Sequence, residues 1–275
     1  MNNITRYPML LFVVSFIVLW LSSRLGKFLG KGRNDPDQAL GEDFGMILTA
    51  SLTLLGLIIG FSFSMAVSRY DMRKNYEEAE ANAIGTEYVR LDMLPAANAE
   101  KVRPLLRSYL EQRIAFYEAQ NNQQIQQIDS RTAGLQAELW SGVAVPANAQ
   151  PTQLTALVVS GMNDVLNSAG YTQAGFWNRI PAAAWGLIGA IAIGCNLLVG
   201  FGSRSARAES RVLPILPLLV AITLMLIADI DSPRHGLIHV KPQNLTSLAE
   251  SLSPPGAAGA AGAAGAADDG GQTDR

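Results

Sequence analysis

The chain is predicted to be all-α: an integral membrane protein with four transmembrane helices and a helical extramembrane insert between spans two and three. Three observations point there. Four apolar blocks read as long enough to cross a bilayer, which takes roughly 20 mostly apolar residues. Only 16% of the 275 residues are charged while 49% are hydrophobic, against about a quarter charged in an ordinary soluble domain. The polar stretch between the second and third blocks carries helical periodicity and few strand signals.

The first block, about 8–22 (PMLLFVVSFIVLWLS), follows Arg6 and so resembles a secretory leader. No small-residue cleavage site follows it, and Arg24, Lys27, Lys31 and Arg33 come next, so it reads as a retained span. A short loop near 23–43 leads to the second block, about 44–67. Its end, GLIIGFSFSMAVSRYDMRKN (56–75), passes from uncharged to densely charged with no proline. One helix is therefore expected to run from about Phe44 to Met93, about 75 Å at 1.5 Å per residue, with Gly85 as a place to bend. In its polar half, Ala79, Ala83, Val89 and Met93 fall near one face, and Glu77, Glu78, Glu80 and Glu87 read as a solvated face. Pro95 ends it. Residues 99–120 place Val102, Leu105, Leu106, Leu110, Ile114 and Tyr117 at three- and four-residue spacing, an amphipathic helix. Weaker helices follow at about 123–142 and 152–168, with VPANAQP (145–151) as a loop. The remaining spans are about 181–202 and 212–228, joined near 203–211. The chain thus divides into a first hairpin (1–74), an insert (75–180), a second hairpin with a post-membrane segment (181–252), and an Ala/Gly-rich tail (253–275) that has almost nothing to bury and is expected to be disordered.

Composition excludes several function classes. Net charge is -2 with no dense basic face, which argues against a nucleic-acid partner. The single cysteine, Cys195, cannot close an internal disulfide. His235 and His239 have the spacing of a helical metal pair, but Pro233 and Gly236 argue against a helix there and no third ligand is evident. No metal, cofactor or catalytic residue is expected, because no phosphate loop, nucleophile elbow or zinc signature is present.

Three sets of residues stand out instead. Gly56, Gly60, Ser64 and Ser68 form a ridge of small residues on the second span, and Ala182, Gly186, Ala190 and Gly194 form one on the third. Such ridges let helices approach closely in lipid, within one subunit or between subunits. Beside the first ridge lies the uncharged stripe Thr53, Leu57, Phe61 and Met65. It faces lipid or core, or it lines an apolar constriction of the kind that gates a pore, with Thr53, Leu57 and Phe61 as the constriction candidates. The third set is a boundary cluster: Asp229 and Asp231 close the last span at the negative end of its dipole and call for the cations Arg69, Arg73 and Arg234. With Lys74, the arginines of the second helix would also raise local anion concentration at a pore mouth.

The segment LLGLIIGFSFSMAVSRYDMRKNYEEAEANAIGTEYVRLDMLP, together with the closing IADIDSPRHGLIHV, resembles the bestrophin-like family of bacterial membrane proteins (the DUF4239 group). Gly60-Phe61 followed by Ser68-Arg69-Tyr70 is similar to a pattern of the bestrophin anion channels, in which the second span forms a hydrophobic neck. That resemblance implies a homo-oligomer in the lipid bilayer, small anions as the conducted species, and Phe61, Leu57 and Thr53 at the neck. Thr53 stands where an aliphatic or aromatic residue is expected, and DIDSPRHG lacks the run of aspartates that binds calcium in animal bestrophins. The resemblance implies a bacterial cytoplasmic membrane. Bestrophins keep the insert in the cytosol, whereas the basic residues of the two short loops favour the insert outside. The alternative function is a non-conducting scaffold or sensor whose insert binds a partner.

Overall fold

The computed structural model describes residues 7–30, 42–203, 213–234 and 236–253, and the regular elements among them are all helical. Residues 31–41 of the loop expected at 23–43, residues 204–211 of the one expected at 203–211, His235 and residues 254–275 of the Ala/Gly-rich tail lie outside the described residues. The chain forms two compact units: Met1–Met72 with Phe176–His239, and Arg73–Gly175 with Val240–Arg275.

The first unit holds α1 (Pro8–Gly30), the apolar part of α2 (Glu42–Arg90), α6 (Ala182–Gly202) and α7 (Ile215–Asp231). Among the described residues, three stretches are long and apolar enough to cross a membrane: Pro8–Gly30, the apolar part of Asp43–Met93, and the apolar part of Gln153–Gly202. The fourth expected span, α7, has 17 residues. Helix α1 continues to Gly30 through the region expected as loop, since no proline falls there and Gly26 alone does not break a helix. It lies against α6 by backbone contact. A Cβ at Gly26 would fall 2.9 Å from the Leu197 carbonyl carbon and Phe201 N, and one at Gly200 2.8 Å from the Ser23 carbonyl carbon. Beside them the buried Ser23 hydroxyl lies 3.3 Å from Asn196 Oδ1, and Asn196 Nδ2 donates to Ala192 O at 2.8 Å. Apolar packing does the rest. Leu19, Leu55, Ile188, Ala192, Cys195, Val220 and Leu224 make one cluster, and Ala66, Ile180, Ile227 and Ile230 make a second.

The second unit is built by the polar part of α2, then a 3-10 turn at Leu91–Met93, α3 (Ala96–Glu118), α4 (Asn122–Ala149), most of α5 (Gln153–Trp177) and α8 (Gln243–Ser251). Helix α2 runs unbroken for 49 residues, passing straight through Gly85. Helix α3 buries Val102, Leu106, Leu110 and Tyr117, as its periodicity requires. Helix α4 opens on a capping box of Asn121 and Gln124 and extends to Ala149 with Pro146 inside it. The expected loop at 145–151 is therefore mostly helix. Pro146 sits in the last turn, where it forgoes the one N–H bond to the residue four back without ending the helix, and its ring is buried. Helix α5 begins beyond a reciprocal Thr152–Thr155 cap and runs on to Trp177, past the expected end at 168.

The polar half of α2 is the clearest departure from expectation. Val89 and Met93 are exposed, while Arg73, Glu77, Glu80 and Glu87 are buried. Only Glu78 of the expected acidic face is solvated. Burying charge is unfavourable unless each ion is matched, and two of these three carboxylates are. Glu80 pairs with Arg113 and accepts from Thr172 Oγ1 at 3.0 Å and Tyr117 Oη at 3.3 Å. Glu77 accepts from Asn244 Nδ2 at 2.6 Å and Leu245 N at 2.9 Å, in the first turn of α8.

Candidate functional site

Within the first unit, α2 has two faces. Leu55, Ser62 and Ala66 are buried, with Leu52, Ile58, Ile59 and Val67 packed partly behind them. These residues recur at three and four and join α2 to α6 and α7. The opposite face is uncovered. Phe61 is 62% and Leu57 51% exposed, Thr53 and Met65 are exposed too, and the Thr53 hydroxyl turns back to Thr49 O at 2.8 Å. The stripe therefore does not belong to the chain's own core.

The small ridges share that freedom. Among the described residues, nothing lies within 4 Å of a Cβ built at Gly56, Gly60, Gly186 or Gly194, and Ser64, Ser68, Ala182 and Ala190 are exposed. Close helix contact inside the unit falls to Gly26, Gly30 and Gly200, which the ridge pattern did not single out. Gly26 and Gly30 are four residues apart, but both fall in the loop expected at 23–43, so their spacing does not read as a ridge.

The boundary cluster is brought together in part. Arg69 Nη1 lies 3.3 Å from Asp231 Oδ1. The same carboxylate accepts from Ile180 N at 3.1–3.2 Å, which ties the approach to α6 to the end of α7. Asp229 accepts from Leu237 N at 2.7 Å and Ile238 N at 2.8 Å, so it orders the backbone after α7. Gly236 is required there, because a Cβ would come within 3.1 Å of Asp229 Oδ1 and closer still to its carbonyl oxygen. Arg234 stacks on Phe176 with its guanidinium carbon 4.7 Å from the ring centroid. Arg73 is buried in the second unit. Of the three α2 cations expected at a pore mouth, only Lys74 is exposed to the full, while Arg69 is engaged with Asp231. No cluster of three or more metal-ligating side chains exists among the described residues.

The chain as a whole has known counterparts in sequence family and in fold. The family model described as the bestrophin-like domain matches residues 9–245. The chain is similar in fold to a point-mutated form of a bacterial bestrophin homologue from Klebsiella pneumoniae, with TM-score 0.64 at 12% identity over 88% of this chain and 97% of that one. A second point-mutated form of the Klebsiella homologue gives TM-score 0.60 at 13% identity, covering 88% and 97%. A crystal structure described only as that of a membrane protein, also a point mutant, gives 0.62 at 12%, covering 87% and 97%. No curated protein matches the chain. The match over most of its length makes this chain an integral membrane protein of the bestrophin-like family.

Proposed function

We propose that the chain assembles into a homo-oligomeric channel for small anions in the bacterial cytoplasmic membrane, with α2 lining the pore and α1, α2, α6 and α7 as its four spans. The observation that carries this reading is the division of α2. One face holds the subunit together through Leu55, Ser62 and Ala66, and the face of Thr53, Leu57 and Phe61 is left open and uncharged. One subunit encloses no pore by that face, so conduction requires several copies with the stripe turned to a common axis. There the stripe forms a dry constriction, which passes ions only when wetted or widened. Lys74, repeated around the ring, attracts anions at the charged end.

Reconstituted vesicles test this. Phe61→Ala should raise chloride efflux over the unsubstituted protein, and Lys74→Glu should lower the preference for anions over cations. Correctly assembled protein without flux in any form would remove the channel reading and leave a scaffold whose insert binds a partner.

A further inference from the structure

Glu87 differs from its two buried neighbours on α2. Glu77 and Glu80 each have every carboxylate oxygen engaged, whereas neither oxygen of Glu87 has a hydrogen-bond partner, although the residue is wholly buried. The side chain lies flat on Gly161 of α5. A Cβ at that glycine would fall 3.1 Å from Glu87 Cδ and closer to Oε2, and would also press on Arg90 Nη1. There is thus no room for a water molecule between the carboxyl and the α5 backbone. The charged groups acting on Glu87 are Arg90 on α2 and Asp164 on α5, of opposite sign. On α3, Arg103 pairs with Asp92 and Arg107 donates to Tyr88 Oη at 2.8 Å.

We propose that Glu87 is a proton-binding site: its neutral form lets α2 lie against α5 at Gly161, and loss of the proton drives the two helices apart there. A neutral carboxyl is tolerated in a dry contact at modest cost, while an unpaired carboxylate is not. Burial pushes the group up from 4.5 to about 8; Arg90 opposes the shift and Asp164 adds to it. For an acid raised on folding, the stabilisation is complete below the unfolded value and disappears as pH rises through the folded value. The window is therefore about pH 4.5 to about pH 8. The inference concerns the second unit alone and stands independently of ion conduction.

The test is the thermal unfolding midpoint of the purified full-length protein in detergent, followed from about pH 5 to about pH 10. Glu87→Gln copies the neutral carboxyl. It should remove the part of the decline that ends near pH 8, so that variant and wild type converge at low pH and diverge above it. Asp164→Asn should move the end of the decline to lower pH, and Arg90→Gln to higher pH. A decline unchanged in Glu87→Gln, or unmoved in Asp164→Asn, overturns the proposal. If Glu87→Gln fails to fold, carboxyl-stretch difference infrared spectroscopy of wild type and Asp164→Asn decides. A protonated carboxyl that persists above pH 7 and titrates lower in Asp164→Asn supports the site, and its absence overturns it.

Discussion

Asp231 shows how much a single carboxylate does at the edge of the membrane unit. It accepts from Arg69 and from the Ile180 amide, and all three groups are largely buried. Removing it leaves a cation and an amide unmatched, so Asp231→Ala should destabilise the protein by about 3–5 kcal/mol, measured by denaturant titration in detergent. Glu80 and Arg113 form the equivalent pair in the insert, bordered by Tyr117 and Thr172. Burial holds the Tyr109 hydroxyl up at about 12 and raises that of Tyr117, with Glu80 adding to both shifts, so neither tyrosine ionises near neutrality. Arg113→Met should cost about 3–5 kcal/mol, because it strands Glu80. Adding Glu80→Gln should recover part of that loss, and a double-mutant cycle gives the coupling. Additive effects would show that the two side chains do not interact. The sequence placed Asp231 and Arg69 together because both close apolar spans. It placed Glu77, Glu80 and Glu87 in solvent, since the groups that surround them stand on α3, α5 and α8, far along the chain.

At the level of helices, α2 follows directly from its residues. No proline interrupts Glu42–Arg90, good helix formers follow the apolar stretch, and Gly85 alone does not break it. The α1–α6 contact rests on absent side chains. Gly26→Leu would drive its side chain into the Leu197 and Phe201 backbone, which cannot yield as a flexible side chain could. The expected result is loss of folded protein in detergent extracts, whereas Gly186→Leu, with open space around it, should leave the single-chain fold intact. Helix α8 starts after Pro242 with no side-chain cap of its own, and Glu77 supplies the acceptor from α2. Loss of that cap costs about 1 kcal/mol. Glu77→Ala should therefore expose 243–251 to limited proteolysis, a change that proteolytic mapping of the two forms would show.

For the whole molecule, the exposed apolar surface of α2 is free to meet lipid or another copy. The channel reading requires the second. Gly60→Leu adds bulk where the chain itself has nothing within 4 Å. It should leave helical content unchanged and lower the oligomer mass measured by light scattering in detergent. An unchanged mass would mean that the ridge faces lipid. Packing between helices in a bilayer depends on such small residues, because hydrophobic burial contributes little there.

The all-helical class, the membrane-length apolar stretches and the long α2 could be read from the chain because hydropathy, proline placement and helix periodicity are local quantities. Family membership was readable for the same reason, through short motifs at the ends of the second and last apolar blocks. Which small residues join helices, which glutamates are buried and where α4 ends could not be read that way. Gly26 and Gly60 look alike in sequence, and only their surroundings separate a backbone contact from open space. Glu78 and Glu80 are likewise indistinguishable until Arg113, Tyr117 and Thr172 converge on one of them. Burial of a charge is decided by its partners, and those are assembled by packing between segments distant along the chain.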